Sequence, residues 1–163
     1  MKIAKSVKNM RELYENEDLT LTDVKFCERY FNYLEKPRKW KPLVFWITGP
    51  SGSGKSKLAY EIGEELFEDN VYWKDGEKWW DGYDGHECVI IDDFRGNNMK
   101  FNYLLKVLDR YPMRVEVKGG YRQLKAKIIM ITTIFDLSHI YSESVLEGEP
   151  IRQLERREIR NST

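Results

Sequence analysis

The chain has 163 residues and balances 27 Lys plus Arg against 27 Asp plus Glu, so its formal net charge is zero. That length fits one domain with a small helical annex, and zero charge excludes a bulk electrostatic coat, so any nucleic-acid contact must come from a local basic cluster. Cys27 and Cys88 read as small core residues without Cys/His ligand spacing, which argues against zinc, and the absence of a signal-like or bilayer-length apolar run predicts a soluble intracellular protein.

Residues 4–15 place Val7, Met10 and Leu13 among charges, a weak helical pattern. Thr22 and Asp23 offer caps for a second helix running to about Glu35, with Phe26, Tyr30, Tyr33 and Leu34 along one face. The segment from Lys36 to Pro42 breaks that pattern and reads as a linker. Its four positive charges are expected to be a solvated connector, with a phosphate contact or nuclear-import signal as the functional alternative. Residues 1–40 are therefore expected to form a helical segment and linker, and residues 41–163 a second unit.

From Leu43 the pattern becomes α/β. Leu43 to Thr48 is a continuous apolar run, as a strand covered on both faces requires. A Gly-rich turn and a helix from Lys55 to about Phe67 follow, then a short strand over Val71 to Trp73. Cys88 to Ile91 reads as a buried strand ending in acids. A helix is expected over residues 100–110, with Phe101, Leu104, Leu105 and Leu108 on one face. Arg114 to Lys118, then Gly119 and Gly120, then Tyr121 to Leu124 predict a hairpin. Ile128 to Ile131 is a third central strand, and the charged tail from Glu149 is expected to be partly helical.

Gly49-Pro50-Ser51-Gly52-Ser53-Gly54-Lys55-Ser56 satisfies G-x-x-x-x-G-K-[ST] in full, between a buried strand and an amphipathic helix. The glycines let backbone amides turn inward around phosphate oxygens, and the helix directs its positive end at the same anion. Lys55 is expected to reach the terminal phosphates of ATP and Ser56 to place its hydroxyl on Mg²⁺. Asp92 and Asp93, capping the strand Cys88 to Ile91, supply the second half of such a site. Asp92 is the expected Mg²⁺ ligand, and Asp93 the acid that orients or deprotonates the attacking water.

The phrases Trp79-Trp-Asp-Gly-Tyr-Asp-Gly85, Val89-Ile-Ile-Asp-Asp-Phe94, Asp109-Arg-Tyr-Pro112 and Val115-Glu-Val-Lys-Gly-Gly120 follow one another in this order. From about Met10 to Arg160 the chain resembles the superfamily-3 helicase domain of replication-associated proteins (Rep) of circular single-stranded DNA viruses, closest to circoviruses and cycloviruses. The resemblance implies an AAA+-like P-loop NTPase core with a mostly parallel sheet, an N-terminal helical oligomerisation segment, and ring assembly, usually as a hexamer. It implies ATP-driven translocation on single-stranded DNA during rolling-circle replication, and residence in the host nucleus. It makes the hairpin around Lys118, Gly119 and Gly120 the loop that enters the channel, with Lys118, and Lys125 or Lys127, on DNA phosphates. Arg156-Arg157 resembles a paired-arginine element, one member of which would act as a finger on a neighbouring subunit's ATP.

One position departs from the family. After its central strand the family carries Thr-Ser-Asn or Thr-Thr-Asn, the Asn being a polar sensor near the γ-phosphate, whereas here Thr132 and Thr133 precede Ile134. Ile134 cannot hydrogen-bond, and Thr133 is the candidate substitute. Full-length members also carry an endonuclease domain with a His-hydrophobic-His pair and a Tyr-x-x-Lys nucleophile. His86 and His139 are too far apart for that pair, and Tyr33 and Tyr103 fit Tyr-x-x-Lys in form but read as core, so no nickase is expected here. The aromatic group Tyr72, Trp73, Trp79, Trp80 and Tyr83 reads as core plus subunit interface. Two other functions are compatible with the loop: a small P-loop kinase, and an ATP-dependent assembly scaffold that hydrolyses poorly.

Overall fold

The computed structural model describes residues 10–15, 18–75, 78–141 and 153. The expected tail helix, Arg156 and Arg157 lie outside the described residues.

Among the described residues the first elements are two helices, α1 (Met10–Tyr14) and α2 (Leu21–Leu34). The cap of α2 is Thr20, not Thr22 or Asp23. Thr20 and Asp23 form a reciprocal capping box, the Thr20 hydroxyl accepting from Asp23 N and the Asp23 carboxylate accepting from Thr20 N, each at 3.2 Å. The buried face differs from expectation as well. Met10, Leu13 and Cys27 form a small cluster with Leu19, Val24, Tyr30 and Phe31, while Phe26 and Leu34 are exposed and Tyr33 is 94% exposed. Of the expected face only Tyr30 packs inward, because the short α1 covers only the narrow stripe through Val24 and Cys27.

The segment after α2 keeps Lys36, Lys39 and Lys41 exposed, as a solvated connector would, but Arg38 turns inward. Arg38 is fully buried. Its Nη2 donates to the carbonyls of Lys106 and Val107, each at 2.9 Å, and Nε donates to that of Tyr111 at 3.2 Å. These carbonyls belong to and follow the last turn of the helix Phe101–Val107 (α4), where backbone acceptors lack intrahelical donors and the helix dipole favours a cation. Trp40 Nε1 donates to Ala126 O at 2.9 Å, and Lys125 caps the Trp40 ring.

Four parallel strands form the main sheet: β1 (Leu43–Thr48), β2 (Val71–Lys74), β3 (Cys88–Ile91) and β6 (Ile128–Thr133), in the order β1-β6-β3-β2. The helix α3 (Lys55–Phe67) connects β1 to β2. Strand alternation divides the core. Cys88, Ile90, Ile128 and Met130 pack toward Ala59 and Ile62 of α3, while Val89, Ile91, Ile129 and Ile131 pack toward Phe101, Leu104 and Val107 of α4. At Gly63 of α3 an added Cβ would lie 3.3 Å from both Val71 methyls, so the helix sits as close to the sheet as glycine allows. Both cysteines are buried, as expected.

A two-stranded antiparallel hairpin, β4 (Arg114–Val117) and β5 (Gly120–Gln123), stands apart from the sheet. Glu35, at the end of α2, grips its second strand by accepting from Arg122 Nε at 3.0 Å and from the Gln123 amide at 2.8 Å. Within the aromatic loop, Trp80 and Tyr83 are buried and Tyr72 stacks on Trp80, whereas Trp73 and Trp79 stay partly exposed. His86 is bound into this loop, its Nδ1 accepting from Asp84 N at 3.1 Å.

Candidate nucleotide site

Parallel strands gather loop functions at their C-terminal ends, and here β6 stands between β1 and β3. The turn after β1 therefore faces the acids after β3 across the end of β6. Gly52 and Gly54 have φ of 80° and 84°, a left-handed conformation that glycine adopts without Cβ strain. Gly54 is the N-cap of α3 and supplies no side-chain acceptor, which leaves the first amides of the helix available to an anion. Residues Pro50 to Gly54 are exposed. Lys55 folds back over this turn, donating to Pro50 O at 2.8 Å and lying 3.4 Å from Ser53 Oγ.

Ser56 and Asp92 meet directly: Ser56 Oγ donates to Asp92 Oδ1 at 2.6 Å. The same carboxylate oxygen accepts from Thr132 Oγ1 at 2.5 Å, and Thr132 Oγ1 in turn accepts from Asp93 N at 2.9 Å. A buried hydroxyl on β6 thus fixes Asp92 against Ser56. Asp93 adopts φ of 46°, and its carboxylate accepts from Arg95 Nε at 3.1 Å and Nη2 at 3.0 Å. The next hydroxyl, that of Thr133, points elsewhere. It donates to Phe94 O at 2.6 Å, accepts from Phe135 N at 3.1 Å and is fully buried, so it is committed to the core. Ile134 follows the strand, is partly exposed, and its side chain offers no polar atom.

Thr132 and Arg95 are the site residues that sequence reasoning missed. The strand order that places Thr132 between the loop and Asp92 has no local signal. Arg95 lies only two positions from Asp93, and an acid–base pair at that spacing was available to be read.

The expected nucleic-acid residues do not form one patch. Lys118 lies at the hairpin tip, its amide donating to Asp81 Oδ1 at 2.7 Å and its Nζ 3.1 Å from Asp81 Oδ2. The Lys118 amide, aided by its ammonium, holds the Asp81 carboxyl below the usual carboxylate range. Lys125 and Lys127 lie beyond the root of the hairpin, whose second strand alone rises about 10 Å from the tip. Lys125 Nζ donates to Lys36 O, and Lys127 pairs with Glu87 at 2.7 Å. A cleft of about 1030 Å³ opens beside the hairpin tip, lined in part by Asp81, Asp84, Lys118, Gly119 and Arg122, and not beside the nucleotide loop. No helix among the described residues is long and apolar enough to cross a membrane.

The parallel sheet, the glycine turn and the acids at the neighbouring strand end define a P-loop NTPase-like α/β protein. A family profile described as RNA helicase matches residues 45–135. Over 107 residues the chain is 44% identical to the replication-associated protein of Human associated cyclovirus 1, covering 64% of this chain and 38% of that protein. It is 44% identical over 100 residues to the replication-associated protein of Goose circovirus, covering 61% of this chain and 32% of that protein. A replication protein of Onion yellows phytoplasma is 33% identical over 151 residues, covering 91% of this chain and 39% of that protein. The chain belongs to the RNA helicase family, in the superfamily-3 form carried by the replication-associated proteins of circular single-stranded DNA viruses. The matches span less than two fifths of the length of these relatives.

Proposed function

We propose that this chain is the motor of a replication initiator, hydrolysing ATP with Mg²⁺ to move along single-stranded DNA as a ring-shaped homo-oligomer, with six subunits expected. The observation that carries this reading is the 2.6 Å approach of Ser56 Oγ to Asp92 Oδ1 beside the uncapped start of α3. Ser56 and Asp92 bring together two hard oxygen donors of the kind Mg²⁺ prefers, and these two residues would hold the ion. Bound there, the ion would neutralise charge building on the β- and γ-phosphoryl oxygens. The loop amides from Ser51 to Ser56 surround the phosphates, Pro50 having no N–H to give. Lys55 exchanges Pro50 O for a phosphate oxygen, a stronger, charge-assisted acceptor. Asp93, steadied by Arg95, orients the attacking water and takes its proton. Arg156 or Arg157 reaches the ATP of a neighbouring subunit. Residues 1–40 supply the oligomerisation segment, and Lys118, with Lys125 or Lys127, contacts the strand.

ATP turnover measured with and without single-stranded DNA, across protein concentrations, tests substrate, partner and assembly together. Turnover per subunit is expected to rise with both DNA and concentration, and Lys55→Ala to abolish it. Turnover that ignores both variables sinks the motor reading.

A second reading rests on Ile134. With Thr133 committed to Phe94 and no amide at the next position, the γ-phosphate side of the site lacks its polar sensor. The chain would then act as an ATP-dependent assembly scaffold with slow hydrolysis.

A further inference from the structure

Two donors of one residue converge on one carboxylate at the tip of the hairpin. The Lys118 amide reaches one oxygen of Asp81 and its ammonium the other. A phosphodiester presents the same pair of anionic oxygens to the same donors. We propose that Asp81 is an internal stand-in for a backbone phosphate of single-stranded nucleic acid, and that the strand binds the tip by displacing it. This rests on the reading of the hairpin as a nucleic-acid element.

The two partners differ in how firmly they are held. Asp81 belongs to a segment strapped at several points. Tyr72 Oη donates to its carbonyl at 2.9 Å, Trp80 N donates to Glu116 O at 2.9 Å, and Lys78 pairs with Glu116 at 2.7 Å. The Trp80 ring next to it is fully buried. The tip is free of such packing. The Lys118 side chain is 77% exposed, and nothing lies within 4 Å of a Cβ built on Gly119 or Gly120. Lys118 can therefore leave Asp81 without disturbing the core, while Asp81 stays in place. Until displaced, Asp81 cancels the tip's charge and occupies its amide, so it competes with every incoming phosphate. The ion pair is exposed on the lysine side, so the competition is modest, about three- to fivefold in affinity.

Anisotropy of a labelled oligothymidylate of about 20 nucleotides, titrated with wild type, Asp81→Asn, Lys118→Ala and the double variant over a salt series, tests this. Asp81→Asn is expected to tighten binding about three- to fivefold. Lys118→Ala is expected to weaken binding and to lower the slope of log affinity against log salt by about one. In the Lys118→Ala background, which keeps the backbone amide but not the ammonium, Asp81→Asn is expected to tighten binding distinctly less than in the wild-type background. Equal tightening in both backgrounds would reveal a general charge effect and overturn the stand-in role, as would an unchanged or weakened Asp81→Asn protein. Asp81→Ser repeats the measurement if the Asn variant melts early. If Lys118→Ala binds like wild type, the hairpin reading itself fails and the proposal falls with it. If Lys118→Ala weakens binding while neutralising Asp81 has no effect, only the stand-in is wrong.

Discussion

Replacing Thr132 by valine keeps its volume and removes a single hydroxyl. That hydroxyl is buried, donates to Asp92 Oδ1 at 2.5 Å and accepts from Asp93 N at 2.9 Å. Valine leaves Asp92 with Ser56 as its remaining described hydroxyl partner and strands the Asp93 amide. A hydrogen bond to an ionised group contributes about 1.5–3 kcal/mol, and an unmet buried amide costs a similar amount, so a loss of about 2–3 kcal/mol is expected once partial hydration of Asp93 is allowed for. For a chain of this length that corresponds to a fall in Tm of roughly 4–12 °C. The kinetic effect should be larger. Groups that orient a metal ligand typically alter metal affinity or activity by about 10- to 100-fold, so the Mg²⁺ concentration for half-maximal phosphate release should rise about tenfold or more. Thr133→Val is the matched control. It deletes a hydroxyl one residue away that serves Phe94 and Phe135, so it should lose stability and keep the wild-type Mg²⁺ response. Superimposable Mg²⁺ curves for Thr132→Val and wild type, or equal shifts in both variants, would refute the placement of Thr132 as the residue that holds Asp92.

Arg38→Ala removes the donors of three backbone carbonyls and opens a void, so thermal unfolding by circular dichroism should show a loss of about 3 kcal/mol, roughly 6–12 °C; a shift within one degree would mean that the buried guanidinium contributes nothing. Burial pushes this guanidinium down to about 10, so it remains charged at neutral pH. Ile134→Asn restores a polar group beside the nucleotide and should raise ATP turnover about ten- to a hundredfold; no gain would remove the scaffold reading. Stability should fall above about pH 9. Burial raises the Cys88 thiol and the Tyr72 phenol to about 12, and moves Tyr83 and Tyr141 upward as well. The unfolded chain therefore loses these protons first, so the stabilisation is complete below the ordinary thiol range and disappears between about pH 9 and 12. Arg38, shifted the other way, offsets part of this above pH 10. Urea midpoints at pH 8 and pH 10.5 should differ by an amount equivalent to about 2 kcal/mol.

The sequence was most readable where partners are near neighbours. Gly49 to Ser56 forms a loop whose chemistry is local, and α3 begins and ends at the expected Lys55 and Phe67. The strand Cys88–Ile91 also matches, because a short apolar run ended by acids has few other uses. Misreadings arise where the partner is distant. Arg38 looked like a solvated charge because the carbonyls it serves are 68 to 73 residues away. The inward face of α2 runs through Val24, Cys27 and Tyr30 and not through Phe26 and Tyr33, whose larger rings suggest burial but face away from α1. Thr133 stands next to the motif position held by Ile134, but strand alternation sends the two hydroxyls to opposite sides, and it is Thr132 that meets Asp92.

Glu35 joins what the chain separates by 87 residues. Its carboxylate ties the end of α2 to Arg122 and Gln123, so helix and hairpin form one lever. If the chain assembles through its N-terminal helices as proposed, tilting one protomer against the next would then raise or lower its hairpin. The height of the hairpin would depend on the packing of adjacent helices as well as on events at the phosphate loop.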